Sequence, residues 1–326
     1  MRLERRPQTE DAMKRLRKAT SNGEWIALAN VYVIWGSTYL AIRVAVETIP
    51  PFLMAAARFL VAGALLFAWA GRRGKEGDRL GPRQWLAAAL IGGLLLAGGN
   101  GLLAWSEQRG VVTGVAALII AAVPLYMAVL AAFLGEERLH RRTVAGLAIG
   151  FAGTALLVRV SGSQGKADVL GLAAVVAGSI CWAAGSVLSR RVALPRRPLV
   201  ATAMEMLCGG AILFAAAGLS GEFGRLHVSQ VTARSWAGLA YLIVMGSLVA
   251  FSAYVWLLKN ASPSLVSTYA YVNPVIAVLL GVTILDERFT GLEALASVLI
   301  VAAVAVIVLS QGRRQKTADA EIGSAA

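Results

Sequence analysis

The chain has 326 residues, of which 58% are hydrophobic and only 15% charged. Soluble domains carry about 45–50% apolar and about 25% charged residues. A membrane-spanning helix takes about 20 mostly apolar residues, so this composition supplies about eight to ten spans and excludes an ordinary soluble enzyme. A net charge of +13 would suggest nucleic acid in a soluble protein, but the position of the charges gives a membrane explanation.

The first 24 residues, with seven basic and four acidic side chains, read as a polar tail. The apolar run that opens at Trp25 is too long for the core of a cleavable signal peptide and reads as an uncleaved first span. Ten helices follow from the hydrophobic runs, near residues 25–46, 52–70, 85–106, 112–134, 144–160, 169–189, 199–219, 235–258, 263–285 and 291–310. Pro51, Pro82, Pro198 and Pro263 sit at or near first turns, where proline's missing N–H costs nothing. The fold class expected is an all-α integral membrane protein, with a second tail at 311–326.

Ten spans put both termini on one side. Connections on that side hold 23 Lys and Arg residues against 7 on the other. The positive-inside bias therefore predicts cytoplasmic termini in a multi-pass protein, and the cations act as topology signals, helped by anionic lipid, rather than as a nucleic-acid surface.

Residues 25–71 and 172–218 align at a constant offset of 147, pairing Trp35 with Trp182, Arg43 with Arg190, Pro51 with Pro198 and Gly63 with Gly210. From Pro51 to Gly71, ten of 21 positions are identical. Trp85 and Trp105 match Trp236 and Trp256 at 151, and Pro124, Glu137 and Arg138 match Pro274, Glu287 and Arg288 at 150. The chain is a duplication of five spans, 25–160 and 169–310. Because five is odd, the second copy enters the membrane from the opposite face, and such inverted repeats are typical of secondary transporters that handle substrate near the midplane.

Trp35-Gly36-Ser37-Thr38-Tyr39, Arg58-Phe59, Pro124 followed by Glu136-Glu137-Arg138, and Asn273-Pro274 leading to Asp286-Glu287-Arg288 resemble the EamA-type members of the drug/metabolite transporter superfamily. The resemblance covers residues 25–310. It implies a ten-span bundle in two inverted five-helix halves that moves small metabolites, often outward across a bacterial inner membrane. Bacterial members similar to this chain include amino-acid exporters, aromatic amino acids among their substrates.

Trp25, Trp69, Trp85, Trp105, Trp236 and Trp256 fall near span ends, where aromatic belts form. Trp35 lies about 15 Å into its span at 1.5 Å per residue, and Trp182 is its repeat mate. Tyr32, Trp35, Tyr39 and Arg43 share one helical face, and Ser179, Trp182, Ser186 and Arg190 share the matching one. A face bearing hydroxyls and an Arg belongs against protein or a wet cavity, so the stripe reads either as interhelical packing or as a substrate-pathway wall. Pro124 and Pro274 occupy matching mid-span positions, each removing a helix donor and displacing the carbonyl four residues earlier. Tyr126, Tyr269, Tyr271 and Asn273 flank these predicted breaks. Asn100, deep in span three, serves as helix glue or ligand contact.

Arg58 and Glu205 are repeat mates inside spans, and inversion sends them to opposite faces. Local partners are expected: Glu47, Glu107 or Glu287 for Arg58, and Arg190 or Arg191 for Glu205. Glu205 is the carboxylate singled out for proton coupling. The clusters 136–138 and 286–288 read as helix-end charges at opposite mouths, and the glycines from Gly92 to Gly101 as close-approach positions.

Cys181 and Cys208 lie in apolar runs, and His140 and His227 lie in separate polar connections. No disulfide framework, metal spacing or cofactor is expected, and no glycine loop for ATP is present. Small-molecule substrate and lipid are the partners this reading calls for. A lipid enzyme lacks its convergent catalytic set, and a channel gives no reason for an inverted duplication.

Overall fold

The computed structural model describes residues 22–72, 80–135, 141–163, 168–189, 191–260, 269–288, 290–303 and 305–306. The described residues form ten apolar helical units and no strand. They are α1 (Asn22–Ala45), α2 (Pro51–Arg72), α3 (Pro82–Gln108), α4 (Thr113–Phe133), α5 (Arg141–Ser163), α6 (Val169–Leu188) and α7 (Pro198–Leu219). After them come α8 (Ala233–Tyr241, Leu242–Val249 and Ala250–Asn260), α9 (Tyr269–Ile284) and α10 (Gly291–Ala303). Seven are long and apolar enough to cross a bilayer alone, and 144–160, 272–284 and 291–303 are shorter apolar helices. The face on which α1 begins is called here the near face, and the face on which it ends the far face.

Prolines open α2, α3 and α7, as their position in the sequence predicts. Asp168 caps α6 by accepting from the Leu170 N–H at 3.2 Å, and Thr232 caps α8 by accepting from the Ser235 N–H at 3.2 Å.

The two copies meet along α2 and α7. A Cβ on Gly63 would stand 2.9 Å from Cβ of Met206, and one on its repeat mate Gly210 would stand 2.8 Å from Cγ of Leu60. Glycine at both positions lets the backbones come this close, the usual way helices gain dispersion contact where lipid supplies no hydrophobic drive. Gly92 of α3 and Gly209 of α7 form a second such crossing: a Cβ on Gly92 would fall on the Glu205 carbonyl oxygen.

One feature of both copies is not legible in the hydrophobic pattern. Gly93–Gly101 in α3 and Leu242–Val249 in α8 are π-helical. They overlap under the offset of 151 that relates Trp85 to Trp236. The wider turn changes which carbonyls face the neighbouring helices, and π-bulges are common at functional sites.

The paired prolines behave differently. Pro124 follows an interruption at Ala121–Ala122, which divides α4 into Thr113–Ile120 and Val123–Phe133. The expected matching break at Pro274 is corrected by the structure, since α9 runs through it as one helix. Proline removes one main-chain donor and crowds the carbonyl four residues earlier, and the turns of α9 on either side hold the helix through that disruption.

Candidate functional site

The aromatic face of α1 points into the bundle. Trp35 sits against Phe251 and Tyr254 of α8 and Tyr269 of α9, with ring centroids 5.9, 5.0 and 5.3 Å away. Phe251 and Tyr269 also meet Tyr254 edge-on at 6.1 and 5.8 Å. Such offset and edge geometries align ring edges with π faces. The indole N–H of Trp35 donates to the Gly246 carbonyl at 3.2 Å, within the π-helical stretch of α8. One residue later, Ser247 Oγ accepts from Arg58 Nε at 2.9 Å. The irregular turn of α8 therefore orients a tryptophan from α1 and a buried arginine from α2.

Asn273 completes this region. With its amide nitrogen facing the two carbonyls, it donates to Tyr32 and Tyr269 at 3.3 and 3.2 Å, joining α1 to α9. Beneath the rings lie Ala27, Leu28, Val31 and Leu257, which place the cluster in the near-face half of the bundle. The cluster is aromatic, and its polar groups are phenol hydroxyls, an amide and backbone carbonyls. These are the groups that match a solute with an apolar or aromatic body and a few hydrogen-bonding groups.

The other half is different in kind. Trp182 of α6 packs on α3, where a Cβ on Gly99 would lie 2.9 Å from its ring. At the positions equivalent to Phe251, Tyr254 and Tyr269 stand Asn100, Leu103 and Ile119. Ser179 and Ser186 donate to the carbonyls of Val175 and Trp182, four residues back on their own helix. Asn100 reaches the Leu95 carbonyl at 3.4 Å, and Tyr126 pairs with Phe151 of α5 at 5.4 Å. The structure thus gathers Tyr32, Trp35, Tyr269 and Asn273, but not Trp182, Ser179, Ser186, Asn100 or Tyr126, into one cluster. Arg190, residues 136–138 and the Tyr271 side chain lie outside the described part. Phe251 and Tyr254 were not legible as site residues because they sit in an apolar run, although their i, i+3 spacing puts them on one face.

Toward the far face the two copies are joined by polar contacts. Glu287, after α9, accepts from the Thr113 and Gly114 N–H groups at 2.8 and 3.2 Å and so caps α4. Glu222, in a helical turn after α7, accepts from the Phe52 and Leu53 N–H groups at 3.3 and 2.9 Å and caps α2. A carboxylate on a helix N-terminus satisfies orphan donors and complements the helix dipole. Arg109 pairs with Asp168. Arg234 stands 3.7 Å from Glu47, and Ser235 Oγ donates to the Val44 carbonyl at 2.9 Å. The hydrogen bond from Arg109, then that from the Leu170 N–H, hold the Asp168 carboxyl below the usual range. Burial pushes Glu222 up, against its backbone hydrogen bonds and Arg225.

The expected ion pairs of Arg58 are corrected here. None of Glu47, Glu107 or Glu287 pairs with it: besides Ser247, its guanidinium lies 4.8 Å from the Phe59 ring centre. A weakly hydrated, delocalised cation tolerates such a site. Nor does Arg191 reach Glu205; it donates to the Leu134 carbonyl at 3.2 Å. Glu205 is buried in α7. Arg43 donates to the main-chain carbonyl of Glu107 rather than to a carboxylate. Glu107 itself is fully buried, and neither carboxylate oxygen has a hydrogen-bond partner.

Ten apolar helical units in two inverted copies, joined by polar contacts toward one face above an aromatic cluster, define a polytopic membrane transporter of the inverted-repeat class. The pattern of the EamA-like transporter family matches residues 23–159 and 169–309. The chain belongs to that family, within the drug/metabolite transporter superfamily, and is a transporter rather than an enzyme. It is 41% identical over 285 residues to the uncharacterized inner membrane transporter YedA of Escherichia coli K12, covering 87% of this chain and 90% of that one. It is 25% identical over 279 residues to a probable amino-acid metabolite efflux pump of the same organism, covering 83% and 89%. A protein crystal structure superimposes with a TM-score of 0.59 at 25% identity, covering 88% of this chain and 97% of that one.

Proposed function

We propose that the protein exports small metabolites, with aromatic or neutral amino acids as its substrate class, across a bacterial inner membrane. Both termini then face the cytoplasm, the near face is cytoplasmic, and the far face is extracytoplasmic. The observation that carries this reading is the four-ring cluster of Trp35, Phe251, Tyr254 and Tyr269 on the near side of the cross-repeat contacts. An amphipathic solute entering from the cytoplasm meets aromatic faces and a few hydrogen-bonding groups, while Glu222, Glu287 and the Arg109–Asp168 pair hold the far side together. The relatedness to a probable amino-acid metabolite efflux pump supports amino acids in general as the substrate class.

Transport in this reading is alternating access between residues 25–160 and 169–310. Two copies of one shape facing opposite ways exchange roles, so closing one mouth opens the other. The π-helical stretches of α3 and α8 and the interruption in α4 are the backbone irregularities at which this reading places the bending.

The test is counterflow in proteoliposomes loaded with unlabelled amino acids and supplied with labelled ones outside. Exchange of aromatic or neutral amino acids, absent from empty liposomes, supports the proposal. No exchange of any amino acid by folded protein withdraws that substrate class and turns the screen to nucleobases, sugars and cationic drugs.

A further inference from the structure

The transporter reading leaves the buried Glu107 carboxylate unexplained. Glu107 ends α3 near the far face with a fully buried side chain. Both of its carboxylate oxygens and Thr113 Oγ1 lack hydrogen-bond partners. An ionised carboxylate removed from water without donors is strongly disfavoured, so this arrangement needs a ligand or a change of state.

The charged and titratable groups around it are few. α1 supplies Tyr39 and Arg43, and the end of α9 supplies Glu287, whose carboxylate is held by the Thr113 and Gly114 N–H groups. α4 presents Thr113. The N-cap of α6 is Asp168 and α2 carries Arg58, already engaged by Arg109 and Ser247. Asp286 and Arg288 flank Glu287 on the exposed side. Among the described residues the set around buried Glu107 therefore holds two carboxyl groups, Glu107 and the half-buried Glu287, and one half-buried guanidinium, Arg43, so it becomes neutral on gaining one positive charge.

We propose that Glu107 is a proton-binding site that fills when the far mouth closes. In the open state water solvates the carboxylate. On closure one proton from the far-side solution bonds to a carboxylate oxygen, which removes the charge that burial disfavours. The proton returns to the same side on reopening, so the site sets how external pH biases the gate and carries no proton across. A closure that takes up one proton responds about tenfold per pH unit.

This inference rests on the alternating-access reading for its meaning, but its test needs no substrate. In a Cys181→Ala, Cys208→Ala background, Val111→Cys places a thiol at a fully buried far-face position beside Gly171. Ser229→Cys, exposed on the same face, corrects at each pH for thiolate fraction. A membrane-impermeant thiol reagent is applied from the far side at pH 8 and pH 6. The expected result is at least a tenfold fall at pH 6 in labelling of Val111→Cys relative to the control. Glu107→Gln should abolish that fall and keep labelling low at both values. Glu287→Gln, which leaves Arg43 to balance an ionised Glu107, should also remove the pH dependence and covers the case where Glu107→Gln does not fold. A flat profile in the unsubstituted cluster, or an unchanged fall in a folded Glu107→Gln or Glu287→Gln protein, overturns the proposal. Absence of amino-acid counterflow would instead count against the substrate reading alone.

Discussion

The indole N–H of Trp35 and the carbonyl of Gly246 are hydrogen-bonded at 3.2 Å across 211 residues and across the two copies. The acceptor lies in the π-helical stretch of α8, so a backbone irregularity and the central tryptophan form one unit. The position equivalent to Gly246 in α3 is Leu95, whose carbonyl receives Asn100 instead. The duplication kept the irregular turn and changed what it holds.

Trp35→Ala and Tyr254→Ala should each raise the KM for counterflow while leaving membrane insertion intact. An aromatic pair contributes about 0.5–1.5 kcal/mol beyond its buried area, which sets an effect of roughly two- to tenfold. Trp182→Ala, which removes packing against Gly99, should lower thermal stability more than it changes KM. Unchanged transport by folded Trp35→Ala protein would remove that residue from the pathway.

Gly92→Ala should destabilise the protein by about 1–3 kcal/mol, because the added methyl meets the Glu205 backbone and overpacked crossings relax poorly. Gly224→Ala, with nothing within 4 Å of the added carbon, is the matched control and should leave the melting temperature in detergent nearly unchanged. Equal melting temperatures for both variants would contradict the close crossing.

Gly281→Ala tests the cap on α4. The new Cβ would fall on the Glu287 carboxylate and push it from the Thr113 and Gly114 N–H groups. Loss of a helix cap costs about 0.5–2 kcal/mol. The expected readout is faster amide hydrogen exchange at residues 113–116, with α2 unaffected.

Acid should act oppositely on the two far-face carboxylates outside the spans. The Asp168 carboxyl is held below the ordinary range by Arg109 and Leu170. Its contribution is therefore present above the unfolded value near 3.9 and is lost as pH falls through the lower folded value. Glu222 is raised by burial, so its contribution is complete below the unfolded value and declines as pH rises through the higher folded one. In melting curves against pH, Asp168→Asn should remove an acid-labile component, and Glu222→Gln should remove a component favouring mildly acidic over neutral pH. The same slope in wild type and both variants would assign the dependence elsewhere.

The sequence by itself determined that the chain spans a membrane many times, that it is a duplication, and that its copies are inverted. These follow from run length, identity at a fixed offset and the parity of five spans, and none depends on knowing which helices touch. It also placed Trp35 and its stripe on one helical face, because a 3.6-residue period is local. Only the tertiary structure decided that Trp35 meets α8 and α9 whereas Trp182 meets α3, that Arg58 is held by Ser247 rather than a carboxylate, and that Glu287 caps α4. Those outcomes depend on where the π-helical stretches turn their carbonyls and on which glycines admit a neighbouring backbone. Hydrophobic periodicity records which face is buried; the partner on that face is set by packing between segments far apart in the chain.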